Sequence, residues 1–373
     1  MRVRATWLTI ALLAAALPAY AAKPPNVQWT RTFAGWGDAI GYCVQQTSDG
    51  GYIAVGTTNS LDSGYAVLLV KVSASGDSLW ARTFKAAGGT MGASVVQTSD
   101  GGYIVAGGST ANRGHWDPCL IRTDALGHEL WRSLLANEFS ARASAVVRLG
   151  DTAYAVVVKR YLSDSAVVLY RTDNMGNIRW SHAYKVFYDL EDRDEELSLR
   201  RTSDGGYIIG TKTLLKVDSL GTQQQLKTFG SLMNANSVIQ TSDGGYAATG
   251  AKPDYSSVYL LKTNANGDST WAQTYMPSPD GSRGHWVEPT ADGGYIIAGT
   301  ISPSGDFDKV VLMRTYSSGS PKWGDTLFTG YGHSVRPTAD GGYIVSGLFF
   351  NPTVGSEGTG YLFVTKLAPD RRR

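Results

Sequence analysis

The chain has 373 residues, of which 34 are basic, 32 acidic and only two cysteine. Near neutrality excludes the electrostatic footprint of a nucleic-acid binder, whose affinity comes from neutralised phosphates. With no Cys-x-x-Cys and no Cys/His cluster, a zinc module is not indicated and no metal or cofactor is expected.

In chain order, the first element is a leader. Arg2 and Arg4 precede an apolar run from Ala5 to Pro18 and then Ala19-Tyr20-Ala21. This is the layout of a secretory signal peptide with a small-x-small cleavage site. The run is shorter than the ~20 apolar residues a membrane span needs. Residues 1–21 are therefore expected to be removed on export, to an extracellular or periplasmic destination. Cleavage there leaves 32 basic against 32 acidic residues and no membrane span. Residues 22–373 are expected to form one domain, monomeric. Cys43 and Cys119 fall on different strands of different repeats, which makes a disulfide geometrically unfavourable.

Past the leader, one unit recurs seven times. Its marks are Asp49-Gly50-Gly51-Tyr52, Asp100-Gly101-Gly102-Tyr103, Asp204-Gly205-Gly206-Tyr207, Asp243-Gly244-Gly245-Tyr246, Asp292-Gly293-Gly294-Tyr295 and Asp340-Gly341-Gly342-Tyr343, with a worn copy at Asp151-Thr152-Ala153-Tyr154. The Asp spacings are 51, 51, 53, 39, 49 and 48. A period of this size signals a solenoid, propeller or array. Within one unit, Ser94–Thr98 reads as a strand, Asp100-Gly101-Gly102 as a tight turn, and Tyr103–Gly107, Cys119–Arg122 and Leu130–Leu135 as three more strands. Four short antiparallel strands per repeat describe a propeller blade.

A base ends each third strand (Lys71, Arg122, Arg171, Lys216, Lys262, Arg314, Lys366), and Trp opens most fourth strands (Trp80, Trp131, Trp180, Trp271, Trp323). Each base is expected to reach a turn Asp of its own or the next unit. The seventh unit stops after its third strand, Tyr361–Lys366. An orphan fourth strand, Val27–Phe33, opens the mature chain and matches Leu79–Phe84. The expected fold is all-β: a seven-bladed β-propeller of four-stranded antiparallel blades, the N-terminal strand closing the last blade. Closure would remove exposed sheet edges.

The unit Asp-Gly-Gly-Tyr, apolar strand, Gly, then Lys-Thr-Asp-x-x-Gly-x-x-x-Trp resembles a group of secreted bacterial repeat proteins, mostly uncharacterised. Thr123-Asp124-Ala125-Leu126-Gly127-His128-Glu129-Leu130-Trp131 is similar to the Trp-docking motif of quinoprotein-type propellers. The resemblance covers nearly all of the mature chain and implies a propeller. Some members of such groups carry endoglucanase labels.

Function is expected on the variable loops of a rigid scaffold. The position seven residues before each turn Asp, at the mouth of a central channel, reads Tyr42, Ala93, Ser144, Leu197, Asn236, His285 and His333. Arg-Gly-His-Trp occurs at 113–116 and at 283–286, adding His115, Trp116 and Trp286, with Trp36 on the same face. Aromatic platforms beside polar tips grip sugars. With Glu288 and Arg336 these residues form the candidate ligand site, for a glycan or an extracellular protein. No hydrolase elbow, zinc-protease helix motif or phosphate loop is present. A glycosidase pair such as Glu288 and Asp280 is the enzymatic alternative, and a purely structural envelope role is the third. The acidic run Asp189–Glu196 lacks the calcium-loop spacing and reads as a solvated loop.

Overall fold

A computed structural model describes residues 22–33, 38–60, 64–110, 114–135, 140–161, 166–186, 197–229, 234–351 and 360–370. They form 27 β-strands. Five four-stranded sheets follow one another: β2–β5 (39–84), β6–β9 (90–134), β10–β13 (141–185), β14–β17 (198–228) and β18–β21 (234–275). Each is an antiparallel meander with consecutive strands as neighbours.

The remaining strands form one seven-stranded sheet. They are β22 (Ser282–Pro289), β23 (Tyr295–Ile301), β24 (Lys309–Thr315), β25 (Pro321–Pro337), β26 (Tyr343–Phe350), β27 (Gly360–Leu367) and β1 (Val27–Phe33), in that order. The long β25 accounts for its width. Its first part pairs with β24 and its last part, from Gly330, pairs with β26. The sequence implies two separate strands here. Gly330, at φ +144°, turns the chain from one pairing to the next without a break. At the far edge β1 lies antiparallel to β27, with Trp29 opposite Lys366 and Arg31 opposite Val364.

Every sheet but the third, β10–β13, is anchored by an ion pair at its first turn. In the first, Asp49 accepts from Thr47 Oγ1 at 2.5 Å and from the Gly51 amide at 3.0 Å, and pairs with Lys71 Nζ at 2.9 Å. The same own-unit ion pair recurs in Lys216–Asp204, Lys262–Asp243, Lys366–Asp340, Arg122–Asp100 and Arg314–Asp292. The bases are buried, at 7% exposure or less, while their carboxylates are about half exposed.

The second Gly of the motif makes room for the base. A Cβ on Gly51 would stand 2.5 Å from Lys71 Nζ, and one on Gly206 2.6 Å from Lys216 Nζ. The worn third copy has Ala153 at this point. There Arg171 does not pair with Asp151; it donates to the Ser219 carbonyl, and Asp151 pairs with Arg148 at 3.7 Å. The expected ion pair thus fails in the one unit that carries a Cβ where the base should sit.

Sheet packs on sheet through apolar faces. Seven buried clusters lie among the described residues; six are shared by two sheets, and the seventh lies within the seven-stranded sheet, between its β22–β24 part and its β25–β27 part. One joins Val44, Tyr52 and Val70 to Ile344 and Val364. Fully burying such aliphatic side chains contributes roughly 1.5–3 kcal/mol each. The repeated Trp is a docking residue: Trp80 meets Tyr103 of the following sheet edge-on at 5.8 Å, and Trp271 meets Tyr295 at 6.1 Å. Cys43 and Cys119 are free and buried, and burial pushes the Cys119 thiol up to about 12.

Candidate functional site

The first strand of nearly every sheet carries a bulge at one repeat position. Register shifts skip Tyr42 in β2, Ala93 in β6, Ser144 in β10, Asn236 in β18, His285 in β22 and His333 in β25. A bulged residue is left out of the ladder and its strand bends. These unpaired residues are the ones seven before the turn Asp, and all six line one cavity of about 470 Å³. Two residues earlier on the same strands, Ile40, Met91, Arg142, Arg283 and Tyr331 form a second tier of its wall. First strands from separate sheets therefore converge on a single space.

Part of the inner tier is in mutual contact. The His333 ring lies 5.2 Å from Tyr42 and 5.2 Å from His285. Asn236 Nδ2 donates to the Gly284 carbonyl at 3.0 Å, which turns its carboxamide across to β22. Burial, the neighbouring His333 and Arg283 hold His285 well below the ordinary imidazole range, and burial takes His333 down to about 4. Both rings retain some solvent contact through the cavity but are otherwise enclosed by protein. At neutral pH they are uncharged, able to donate from one ring nitrogen and accept at the other.

Further along β22, Trp286 and Glu288 belong to a different cluster. Glu288 Oε1 accepts from Arg200 at 2.9 Å, Arg336 at 2.6 Å and Trp286 Nε1 at 2.8 Å. The two guanidinium carbons lie 4.4 and 4.9 Å from the Trp286 ring. Arg200 comes from β14, Glu288 from β22 and Arg336 from β25, so three strands of two sheets meet here. Burial draws the Arg200 guanidinium down to about 10, against the pull of Glu288. Glu288 is thus committed to two arginines and stands apart from the cavity lining, whereas Asp280 and Asp308 belong to that lining.

The structure gathers Tyr42, Asn236, His285 and His333 from the sequence-derived set at the cavity, and Trp286, Glu288 and Arg336 in the ion cluster. Trp286 is 8% exposed, so it is no surface platform. The two Arg-Gly-His-Trp copies do not coincide: His115 contacts Asp117 at 3.5 Å at the start of β8 (Asp117–Thr123), outside the lining. Trp116 lies 5.4 Å from Arg142, which does line the cavity. Trp36 and the run 189–196 lie outside the described residues. Sequence reasoning did not nominate Arg142, Arg283 or Arg200 as site residues, although Arg283 opens the second Arg-Gly-His-Trp copy. The first two sit two residues before bulge positions already singled out, so the alternation of a strand would have found them.

Solved structures share this architecture. A structure described as YCF48 bound to D1 peptide is 11% identical with a TM-score of 0.59, over 95% of this chain and 100% of its own. The Neurospora crassa Pan2 WD40 domain is 9% identical with a TM-score of 0.58, over 96% and 99%. A europium-containing methanol dehydrogenase is 10% identical with a TM-score of 0.50, over 92% and 93%. With the sheet order above, these likenesses define the class: an all-β repeat protein with a β-propeller fold. No protein-family model and no curated protein sequence matches the chain, and at these identities the likeness carries the fold and none of the neighbours' chemistry.

Proposed function

We propose that residues 22–373 form one closed seven-bladed propeller, exported and monomeric, which acts as a non-enzymatic binding module taking a saccharide in the cavity where its first strands converge. Ring closure is supported by the pairing of β1 with β27 and by the apolar cluster linking β26 and β27 to the sheet β2–β5. Export is supported by the leader pattern of residues 1–21, and is tested by sequencing the N-terminus of the secreted protein, expected at Ala22.

The observation that carries the binding reading is the lining itself. Rings with polar tips (Tyr42, Tyr331, His285, His333) stand beside Asn236 and Ser144 around about 470 Å³, a volume within the range of small-ligand sites. Apolar ring faces suit the faces of a pyranose, and the polar tips suit its hydroxyls. Two carboxylates of the lining, Asp280 and Asp308, keep hydrolysis as the second reading.

The test is a saccharide screen of the mature protein, reading both thermal shift and reducing-end release. Binding is expected without release, and Ser144→Trp, which fills the cavity, is expected to abolish it while the protein stays folded. Binding untouched by Ser144→Trp, or no saccharide bound at all, would overturn the reading. Release lost in Asp280→Asn or Asp308→Asn would replace it with the hydrolase.

A further inference from the structure

Six of the seven repeated bases of this fold pair with a carboxylate, Arg171 being the exception, and Arg200 and Arg336 share Glu288. Arg142 is arranged otherwise. Its guanidinium carbon lies 4.9 Å from the Tyr161 ring and 5.4 Å from the Trp116 ring. Nε donates to Tyr161 Oη at 2.7 Å and Nη1 to Met91 Sδ at 2.8 Å. Among the described residues no carboxylate pairs with it and Nη2 has no acceptor. Two aromatic faces, a phenol and a thioether therefore fix the plane of a half-buried cation on the cavity wall without neutralising it. A guanidinium held this way has little rotamer freedom left to lose on binding, and its planar edge matches a carboxylate.

The cavity's other charges lie on another sheet. Arg283, stacked 4.2 Å from Tyr255, and the carboxylates Asp280 and Asp308 belong to β22–β24 and their loops, three sheets further along the chain. Neither Asp forms an ion pair with an arginine of the cavity. That wall carries two negative charges and one positive; the Arg142 wall carries a single positive charge. An anionic group entering the cavity is attracted to Arg142 and repelled from the opposite side.

Resting on the saccharide reading above, we propose that the ligand is an acidic sugar, and that its carboxylate docks against the Nη edge of Arg142. The neutral inner tier, His285, His333, Asn236 and Tyr42, then meets the hydroxyls.

The test is titration calorimetry of the mature protein with oligosaccharides of polygalacturonate, alginate and hyaluronate, each beside its carboxyl-reduced neutral counterpart, at low and high salt. At least one acidic fragment is expected to bind, its neutral counterpart at least about tenfold more weakly, with affinity falling as salt rises. Arg142→Met is expected to erase that preference and Arg142→Lys to retain part of it, since charge survives but the planar edge does not. Should Arg142→Met fail to fold, the Lys variant and the salt dependence still decide. Equal binding of an acidic fragment and its neutral counterpart, in a manner blocked by Ser144→Trp, would overturn this inference and leave the saccharide reading standing. No binding by any fragment, acidic or neutral, would overturn both.

Discussion

Glu288 is the residue whose loss the structure penalises most clearly. It is 8% exposed and is the shared acceptor of Arg200, Arg336 and the Trp286 indole. Glu288→Gln keeps the volume and an oxygen for Trp286 but removes the charge. Two guanidinium groups are then left beside one another on a single ring, largely out of water. Removing one partner of a buried ion pair costs about 3–5 kcal/mol. The arginine side chains are 16% and 22% exposed, which places the expectation at the lower end, about 3 kcal/mol. Unfolding entropy of ~2.1 cal/mol/K per residue over ~350 residues turns this into a melting shift of about 4 °C. Calorimetric melting of the two proteins side by side measures it. Replacing Arg200, Glu288 and Arg336 together by Leu should recover most of the loss, because an apolar substitute leaves no orphan charge. A Glu288→Gln protein melting within a degree of the parent would refute the reasoning.

Other expectations concern the repeats, the ends and pH. Ala153→Gly clears the space that other units keep for the base, so Arg171 should turn in to Asp151 and raise stability by ~0.5 kcal/mol, while Gly206→Ala should expel Lys216 and cost ~1–3 kcal/mol; a melting series with both variants moving the same way would contradict this. Gly127 has φ +79° and a Cβ there would stand 2.8 Å from the Trp80 ring, so Gly127→Ala should lower the melting temperature through both backbone strain and displacement of the docked indole. A chain lacking residues 22–33 leaves the β27 edge unpaired and should aggregate or melt well below the parent; unchanged melting and solubility would remove the support for closure. His333 has a folded pKa of about 4, below the unfolded ~6.5, so the unfolded chain takes up protons first and stability should fall as pH drops from about 6.5 toward 4. Asp204 and Asp243, held at about 2 chiefly by hydrogen bonds from Lys216 and Lys262, contribute stability that is present above pH ~4 and lost as pH falls toward 2. The double variant His285→Asn/His333→Asn should flatten the upper limb alone, and an unchanged upper limb would show the imidazoles are not its cause.

What the sequence determined by itself is the repeating local chemistry. An Asp that can bond its own turn, a Gly that leaves space and a base at the end of the third strand act within a few residues or one hairpin. Their pairing could therefore be expected before any fold was known, with only the choice between the Asp of the same unit and that of the next left to the structure. The tertiary structure decided what lies between repeats. Whether a residue on a first strand faces the cavity or a neighbouring sheet depends on a one-residue bulge, and a shift of one residue exchanges the two faces. That shift sends His285 into the cavity and its neighbour Trp286 into the Arg200–Glu288–Arg336 cluster, although the two are adjacent in the chain. The same convergence of separate sheets brought Trp116, Tyr161 and Met91 around Arg142. No local pattern encodes those contacts, because they join sequence positions tens of residues apart that only stacked sheets bring together.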